Sequence, residues 1–198
     1  MQFFIGIVPP EEDQLKLIDF QHKWKHNRIT DVVEPHITLK AQGGLTSDEL
    51  WIREVQDVCR NFPSFPITLG KPMFFGEDIL YLSATSNELI ELHKLFVQAI
   101  APSQELINRY FELDDFVAHM TLGKTHYGLT YQELRDMGEM AERELAIPTF
   151  EVEFVRVYQE VEPNMYRKYL DIPLDSMSSL SNERELKLAN DFNREQVW

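Results

Sequence analysis

One segment of the chain occurs twice, and this internal repeat constrains the fold more than any other feature. Residues 36–50 and residues 119–134 align with one inserted residue. Each copy runs from a His-x-Thr-Leu strand pattern through a glycine loop to a Leu-Thr-x-x-Glu-Leu helix start. The two histidines, His36 and His119, are 83 positions apart (119 − 36). A repeat of this kind predicts two related structural units.

The elements before each copy recur as well. A buried-strand pattern followed by a helix pattern occupies residues 3–24 and again residues 79–99. Helices are predicted to begin after Pro9-Pro10 and at Thr46, Thr85 and Thr130, where each threonine precedes a glutamate by three residues. Residues 101–116 are predicted to be an irregular connection, and residues 176–198 a polar tail. Strands are predicted at about residues 3–8, 35–41, 65–75, 79–84, 117–124, 150–161 and 166–172.

This element order predicts an α+β fold with two pseudo-symmetric lobes. Each lobe is expected to be an antiparallel sheet with helices on its outer face, and an active-site cleft is expected between the lobes. Residues 1–175 are predicted to form a single bilobal domain. The lobes are placed at roughly residues 1–76 and 77–175, with elements free to exchange between them.

Composition narrows the class of protein. The chain is 43% hydrophobic and 26% charged, which is ordinary for a globular protein. A net charge of -14 argues against a grip on long nucleic acid through its phosphates, since that needs a basic face. No apolar run approaches membrane-spanning length, and the single cysteine, Cys59, permits no internal disulfide. We therefore expect a cytoplasmic protein without membrane contact, and the oligomeric state is left open.

The repeated motif has the residue types needed for acid-base chemistry on a phosphate. In a strand, alternate side chains share a face, so His36 lies with Thr38 and His119 lies with Thr121. If a pseudo-two-fold axis relates the lobes, these polar faces meet across the cleft. One neutral imidazole can then take a proton while the other, protonated, donates one.

Further groups are candidates for substrate contact. The threonine hydroxyls can donate hydrogen bonds to phosphate oxygens, and a cation can offset the charge there. The nearest cations in sequence are Lys40 and Lys124, just beyond the two motifs. On the last predicted hairpin, Tyr158, Tyr166 and Tyr169 could contact a base or ribose, although packing is the commoner role for each of them.

The motifs resemble those of a known enzyme family. Val-Glu-Pro-His36-Ile-Thr-Leu and Val-Ala-His119-Met-Thr-Leu are similar to the paired motifs of the two-histidine (2H) phosphoesterase superfamily. That superfamily includes the bacterial RNA 2′,3′-cyclic phosphodiesterases, also called 2′-5′ RNA ligases, and small bacterial phosphoesterases. The resemblance spans about residues 1–172. The sequence departs from the family's pattern at Ala118, where a proline often precedes the second histidine. It also has Lys40 and Lys124 where members of the family often have arginine.

The resemblance implies a function for the motif residues. It makes His36 and His119 the catalytic acid and base, and Thr38 and Thr121 the phosphate-binding residues, with no cofactor and no metal. The implied activity is hydrolysis of a cyclic phosphodiester, with the 2′,3′-cyclic phosphate of a nucleotide or RNA end as the expected substrate. Two alternatives stay open: a non-catalytic binder of nucleotide or RNA ends, and a phosphodiesterase acting on 2′-5′-linked oligonucleotides or ADP-ribose cyclic phosphate.

The remaining histidines give weaker signals. His22 and His26 are four residues apart on the first predicted helix and could pair on a metal, but lysines rather than a carboxylate lie between them. A solvated helix end is the favoured interpretation. We expect a packing role for His93, on the third predicted helix, and only a minor chance of ligand contact for His126, in the second glycine loop.

Overall fold

The computed structural model describes residues 2–175, and these form eight strands and six helices. The predicted tail, residues 176–198, lies outside the described residues. Two short 3-10 helices cover Leu113–Asp115 and Thr125–Tyr127. The strands are β1 (Phe3–Ile7), β2 (Ile37–Lys40), β3 (Phe65–Phe75), β4 (Ile79–Thr85), β5 (His119–Lys124), β6 (Phe150–Val152), β7 (Phe154–Glu162) and β8 (Met165–Pro173). The helices are α1 (Glu11–His22), α2 (Ile29–Val32), α3 (Trp51–Arg60), α4 (Asn87–Ile100), α5 (Gln104–Arg109) and α6 (Tyr131–Glu144).

All eight strands belong to one antiparallel sheet, in the order β6-β3-β4-β5-β2-β1-β7-β8. The α+β prediction is therefore confirmed. The two motif strands, β2 and β5, are neighbours at the centre, and a single pair joins them, Ile37 with Met120. These residues hold the same position in the two copies of the motif. An antiparallel pair of equivalent residues is what a two-fold axis through that point produces.

The first repeat contributes β1, β2 and β3 in chain order, and the second contributes β4, β5 and then β6 and β7. The strand that follows the motif strand in each repeat pairs in the other half of the sheet. Strand β3, from the first repeat, pairs with β4 of the second, while β7, from the second, pairs with β1 of the first. One half of the sheet therefore consists of β6, β3, β4 and β5, and the other of β2, β1, β7 and β8. Both repeats contribute strands to each half.

The apolar face of the motif strands lies in the core. Ile37 and Leu39 of β2 and Met120 and Leu122 of β5 are completely buried. Helix α4 packs on β2, and α6 packs on β3 and β4. Truncating a buried side chain of this size to alanine costs about 2–5 kcal/mol, so these contacts fix which face of each strand looks outward. The opposite face carries the histidines and threonines.

The helix starts agree only partly with the sequence patterns. Thr130 caps α6 in a complete capping box with Glu133, as predicted. The cap predicted at Thr46 is wrong, because its hydroxyl donates to Asp48 and α3 begins only at Trp51. The cap predicted at Thr85 is also wrong by one residue, since Ser86 accepts the hydrogen bond from Leu89 N.

Two other segments differ from the prediction. Part of the connection 101–116 is helical, because Ser103 caps the short helix α5. The long strand predicted at 150–161 is divided at Glu153 into β6, which pairs with β3, and β7, which pairs with β1 and β8. Among residues 2–175 no helix has the length and apolar character needed to cross a bilayer.

Candidate active site

Each motif histidine is held by its own strand in the same way. His36 Nδ1 donates to the carbonyl oxygen of Glu34 at 2.8 Å, and His119 Nδ1 donates to that of Val117 at 2.7 Å. A carbonyl oxygen can only accept, so in the neutral ring the proton lies on Nδ1 and Nε2 has a free lone pair. Both imidazoles therefore present the same nitrogen for proton transfer.

The two histidines and the two threonines line one small cavity. Its volume is about 200 Å³, and it lies over the junction of β2 and β5. His36, Thr38, His119 and Thr121 are all half-buried there. The structure thus brings together the four residues that the repeat singled out. The other residues of the wall are Phe4, Ile29, Val32, Val33, Gln42, Lys124, Tyr127 and Tyr166.

The cavity disfavours the charged form of both imidazoles. Burial lowers the pKa of His36 to about 4, and the positive charges of Lys124 and His119 act in the same direction. Burial also lowers the pKa of His119, again with a contribution from Lys124. Each imidazole has two aromatic neighbours, Phe4 and Tyr158 around the first and Phe75 and Tyr81 around the second. Neutral rings are therefore favoured before an anion binds.

Of the two candidate lysines, only Lys124 reaches this cavity. Burial lowers the pKa of its ammonium group. Lys40 is completely buried, and its Nζ donates to Glu112 Oε1 at 2.7 Å and to the carbonyl oxygens of Ala41 and Gly43. The expectation that Lys40 could contact phosphate is therefore not met, because its charge is already paired in the core.

A β-bulge in each motif strand explains why the lysines differ. In β2, adjacent residues of β1 face Thr38 and Lys40, which leaves Leu39 as the extra residue. The equivalent bulge in β5 leaves Leu122 extra between Thr121 and Gly123. A bulge reverses the alternation of faces beyond it.

The reversal turns Lys40 and its counterpart Gly123 towards the core. A Cβ on Gly123 would lie 2.6 Å from Leu129 Cδ1 and 3.0 Å from Met137 Sδ, so a larger residue there would displace the ends of these core side chains. Lys124, one residue later, returns to the face of the histidines.

The tyrosines of the last hairpin have three different positions. Tyr166 lines the cavity, and its hydroxyl accepts from Gln42 Nε2 and donates to Gln2 Oε1. Tyr158 is completely buried beneath Phe4, with ring centroids 4.5 Å apart, and lies outside the cavity wall. Tyr169 donates to Glu49 at the surface. Among the three, only Tyr166 is placed to contact a ligand in this cavity.

Glu34 connects the first histidine to a network that the sequence did not indicate. Its Oε1 accepts from Tyr158 Oη and from Arg156 Nη1, both at 2.8 Å, and its Oε2 accepts from Gln14 Nε2 at 3.0 Å. Arg156 in turn makes a bidentate pair with Asp171. Because the Glu34 carbonyl holds His36 Nδ1, the network fixes the backbone that orients this imidazole.

Sequence reasoning also missed several wall residues. Gln42 and Tyr127 come from the glycine loops that follow β2 and β5, at non-equivalent positions of the two copies. Phe4 belongs to β1, which is adjacent to β2. The glycine loops themselves were the only signal that could have pointed to the first two residues.

The other histidines lie outside the cavity. Helix α1 ends at His22, so His22 and His26 share no helical face; they contact Thr30 and Glu133 respectively. His93 is buried, as the packing interpretation required. His126 is exposed in a neighbouring surface depression. Within residues 2–175, no group of three or more histidine, cysteine, aspartate or glutamate residues is arranged to hold a metal ion.

Comparison of the chain with known protein families gives one match. The model of the 2′-5′ RNA ligase superfamily matches residues 9–162, which include both motif strands. The chain belongs to the 2′-5′ RNA ligase superfamily. The resemblance seen in the two His-x-Thr motifs is thereby confirmed. Comparison with curated proteins gives no match.

Solved structures show the same fold at low sequence identity. The Thermus thermophilus protein TT0787 is 16% identical, with a TM-score of 0.64 over 89% of this chain and 100% of that chain. LigT of E. coli complexed with 3′-AMP is 16% identical, with a TM-score of 0.58 over 88% of this chain and 98% of that chain. LigT complexed with NADP+ is 17% identical, with a TM-score of 0.59 over 87% and 97%. This member of the superfamily therefore has the LigT-like fold over nearly its whole described length.

Proposed function

We propose that this chain is a metal-independent phosphoesterase that hydrolyses a cyclic phosphodiester, with a 2′,3′-cyclic phosphate of a nucleotide or RNA end as its substrate. One observation carries the proposal. Two imidazoles related by the pseudo-two-fold axis, each tied through Nδ1 to its own strand, line the same cavity as two threonine hydroxyls and one lysine. Two groups that can exchange protons around one anion are what in-line hydrolysis of a phosphodiester needs.

In the proposed reaction, one neutral histidine takes a proton from water as the water oxygen attacks phosphorus. The bond from phosphorus to one ribose oxygen breaks at the same time, and the other histidine, protonated, gives its proton to that oxygen. The products are a phosphate monoester and a free hydroxyl. The catalytic pair ends with its proton on the opposite histidine, and exchange with solvent restores the starting state.

The rest of the cavity suits the charge of the phosphate. The hydroxyls of Thr38 and Thr121 can donate to the two non-bridging oxygens, and Lys124 offsets the charge that develops on them. Binding an anion also raises the pKa of a neighbouring imidazole, which favours the singly protonated pair in the complex. The site thus becomes competent for proton transfer when its ligand is bound.

The bound ligands of relatives support the choice of substrate class. Structures of E. coli LigT contain 3′-AMP, ATP or phosphate. These ligands are nucleotides or the bare anion, and the volume of the cavity described above is sufficient for one phosphate group with part of a ribose. A terminal nucleotide, rather than long nucleic acid, also agrees with the net charge of -14.

A turnover assay on nucleoside 2′,3′-cyclic phosphates, with and without a chelator, tests the proposal. His36→Ala and His119→Ala should each reduce kcat by about 100-fold or more, because each removes one partner in proton transfer. His22→Ala is the matched control, since that histidine is exposed and lies outside the cavity. Full activity in His36→Ala, or loss of activity on adding the chelator, would contradict the proposal.

A substrate panel separates the proposal from its alternatives. It should contain 2′-5′-linked oligonucleotides and ADP-ribose cyclic phosphate beside the cyclic nucleotides. Faster turnover of either one would move the proposal to that substrate. Nucleotide binding without turnover of any member would indicate a binding module instead.

A further inference from the structure

A second, larger cavity opens beside the catalytic one. Its volume is about 450 Å³, within the range of about 300–1,000 Å³ usual for small-molecule sites. Thr38 and His119 belong to the walls of both cavities. A ligand with its phosphate between the histidines can therefore extend directly into this second space.

Aromatic and aliphatic side chains dominate its wall. The principal ones are Phe75, Ile79, Phe111, Phe116 and Val117. The Phe75 ring also meets the His119 imidazole edge-on, with centroids 5.0 Å apart. The surface next to the second histidine is thus suited to a flat, uncharged ring.

Two residues of this wall carry a carboxylate. Glu112 and Asp115 both line the cavity. Glu112 Oε1 is occupied by Lys40 Nζ and Ala41 N, whereas its buried Oε2 has no hydrogen-bond partner among the described residues. Because the Glu112 charge is paired with Lys40, the free negative charge at this wall is that of the exposed Asp115, and it disfavours a second phosphate in the cavity.

Buried contacts hold the segment that carries most of this wall. His93 Nδ1 donates to the carbonyl oxygen of Leu39 at 2.7 Å, and His93 Nε2 accepts from Leu113 N at 2.9 Å. The His93 ring stacks on Phe116, with centroids 3.8 Å apart and planes 7° from parallel. Together with the buried Lys40–Glu112 ion pair, these contacts fix the cavity before any ligand arrives.

Phe111 is the residue that folding does not explain. Its side chain is 70% exposed at the cavity, and its backbone is in the left-handed region with φ 54°. A large apolar ring in a strained, solvent-exposed position gains little from the core. It would gain from a ring stacked against it.

We infer that this cavity binds the nucleobase of the nucleotide whose phosphodiester lies between the histidines, and that Phe111 stacks on that base. The inference rests on the proposed function, because it needs a phosphate in the catalytic cavity. It makes the substrate a nucleotide whose base lies on the His119 side. A sugar phosphate without a base would leave the larger cavity empty.

Calorimetric titration with two phosphate ligands tests this assignment. Adenosine 3′-monophosphate has a base, and ribose 3-phosphate is its base-free counterpart. Stacking on an aromatic side chain is worth about five- to 150-fold in affinity, so the first ligand should bind at least about fivefold more tightly. In Phe111→Ala most of that advantage should disappear, while the affinity for ribose 3-phosphate stays unchanged.

Two further variants complete the design. Phe111→Tyr keeps the ring and should keep the advantage of the base. Leu50→Ala removes another highly exposed apolar side chain, one outside both cavities, and should also behave like the parent protein.

The outcomes separate this inference from the proposed function. Equal affinity of the parent protein for the two ligands, or an unchanged base advantage in Phe111→Ala, overturns the base cavity and leaves the phosphate site intact. Failure of the parent protein to bind either ligand overturns the phosphate site, and the base cavity falls with it.

Discussion

Replacing Lys124 by glutamine should move the pH dependence of kcat/KM to higher pH. The ammonium group of Lys124 lowers the pKa of both His36 and His119, so it opposes protonation of the pair. Its removal makes the singly protonated state available at higher pH. The same change weakens phosphate binding, so the maximum of kcat/KM should fall while the profile is displaced.

The position of the parent profile follows from the two pKa shifts. The pKa of His36 is about 4, and that of His119 lies below the ordinary 6.5. For a pair with one acid and one base, kcat/KM is greatest midway between the two pKa values, so its maximum should lie on the acid side of that of two unperturbed imidazoles. Because activity falls tenfold per pH unit on the alkaline side, kcat/KM at pH 7.5 should be at least about tenfold below its maximum.

The assay is a series of kcat/KM measurements on a nucleoside 2′,3′-cyclic phosphate between pH 4 and 9. Removing one neighbouring charge should displace both limbs upward by on the order of half to one pH unit. Lys71→Gln is the control, because that side chain is 84% exposed and lies outside the cavity. An optimum at or above pH 7 in the parent, or an unmoved profile in Lys124→Gln, would refute the reasoning.

Three further outcomes concern stability and are measured by urea unfolding. Lys40→Met should lower the free energy of unfolding by about 3–5 kcal/mol, because it leaves Glu112 buried without its partner, and Glu112→Met in the same chain should restore much of the loss. Tyr158→Phe should cost about 1 kcal/mol through the lost hydrogen bond, with a smaller kcat from the looser backbone at the first histidine. Thr130→Ala should cost about 1 kcal/mol as a lost helix cap, whereas Thr46→Ala should cost little, since that residue caps no helix.

The central features of the site were predictable because they are encoded locally and twice. Strand alternation alone places His36 with Thr38 and His119 with Thr121, and the apolar partners Ile37 and Met120 fix the buried face. The capping box at Thr130 was predictable for the same reason, as its donors and acceptors lie within four residues. What these patterns could not supply was the position of residues distant in sequence.

Long-range contacts decided the remaining points. The bulge at Leu39 turned Lys40 into the core, and a bulge depends on pairing with β1 rather than on local sequence. The Glu34 network joins residues separated by more than 120 positions, among them Tyr158. The division of the last long strand at Glu153 follows from two different pairing partners, which periodicity within one strand cannot reveal.

The exchange of third strands has a consequence for how the molecule unfolds. The outer edge of β1 is hydrogen-bonded to β7, which comes from the second repeat, and the outer edge of β4 is hydrogen-bonded to β3, which comes from the first. Neither repeat therefore completes a sheet of its own. Topologically the chain is a strand-swapped dimer whose two protomers have been fused through the short turn between β3 and β4. Melting one repeat removes an internal strand that pairs with a strand of the other repeat, so both should be lost in a single cooperative transition. The cavity between the two histidines takes its wall from both repeats and exists only while the two remain interlocked.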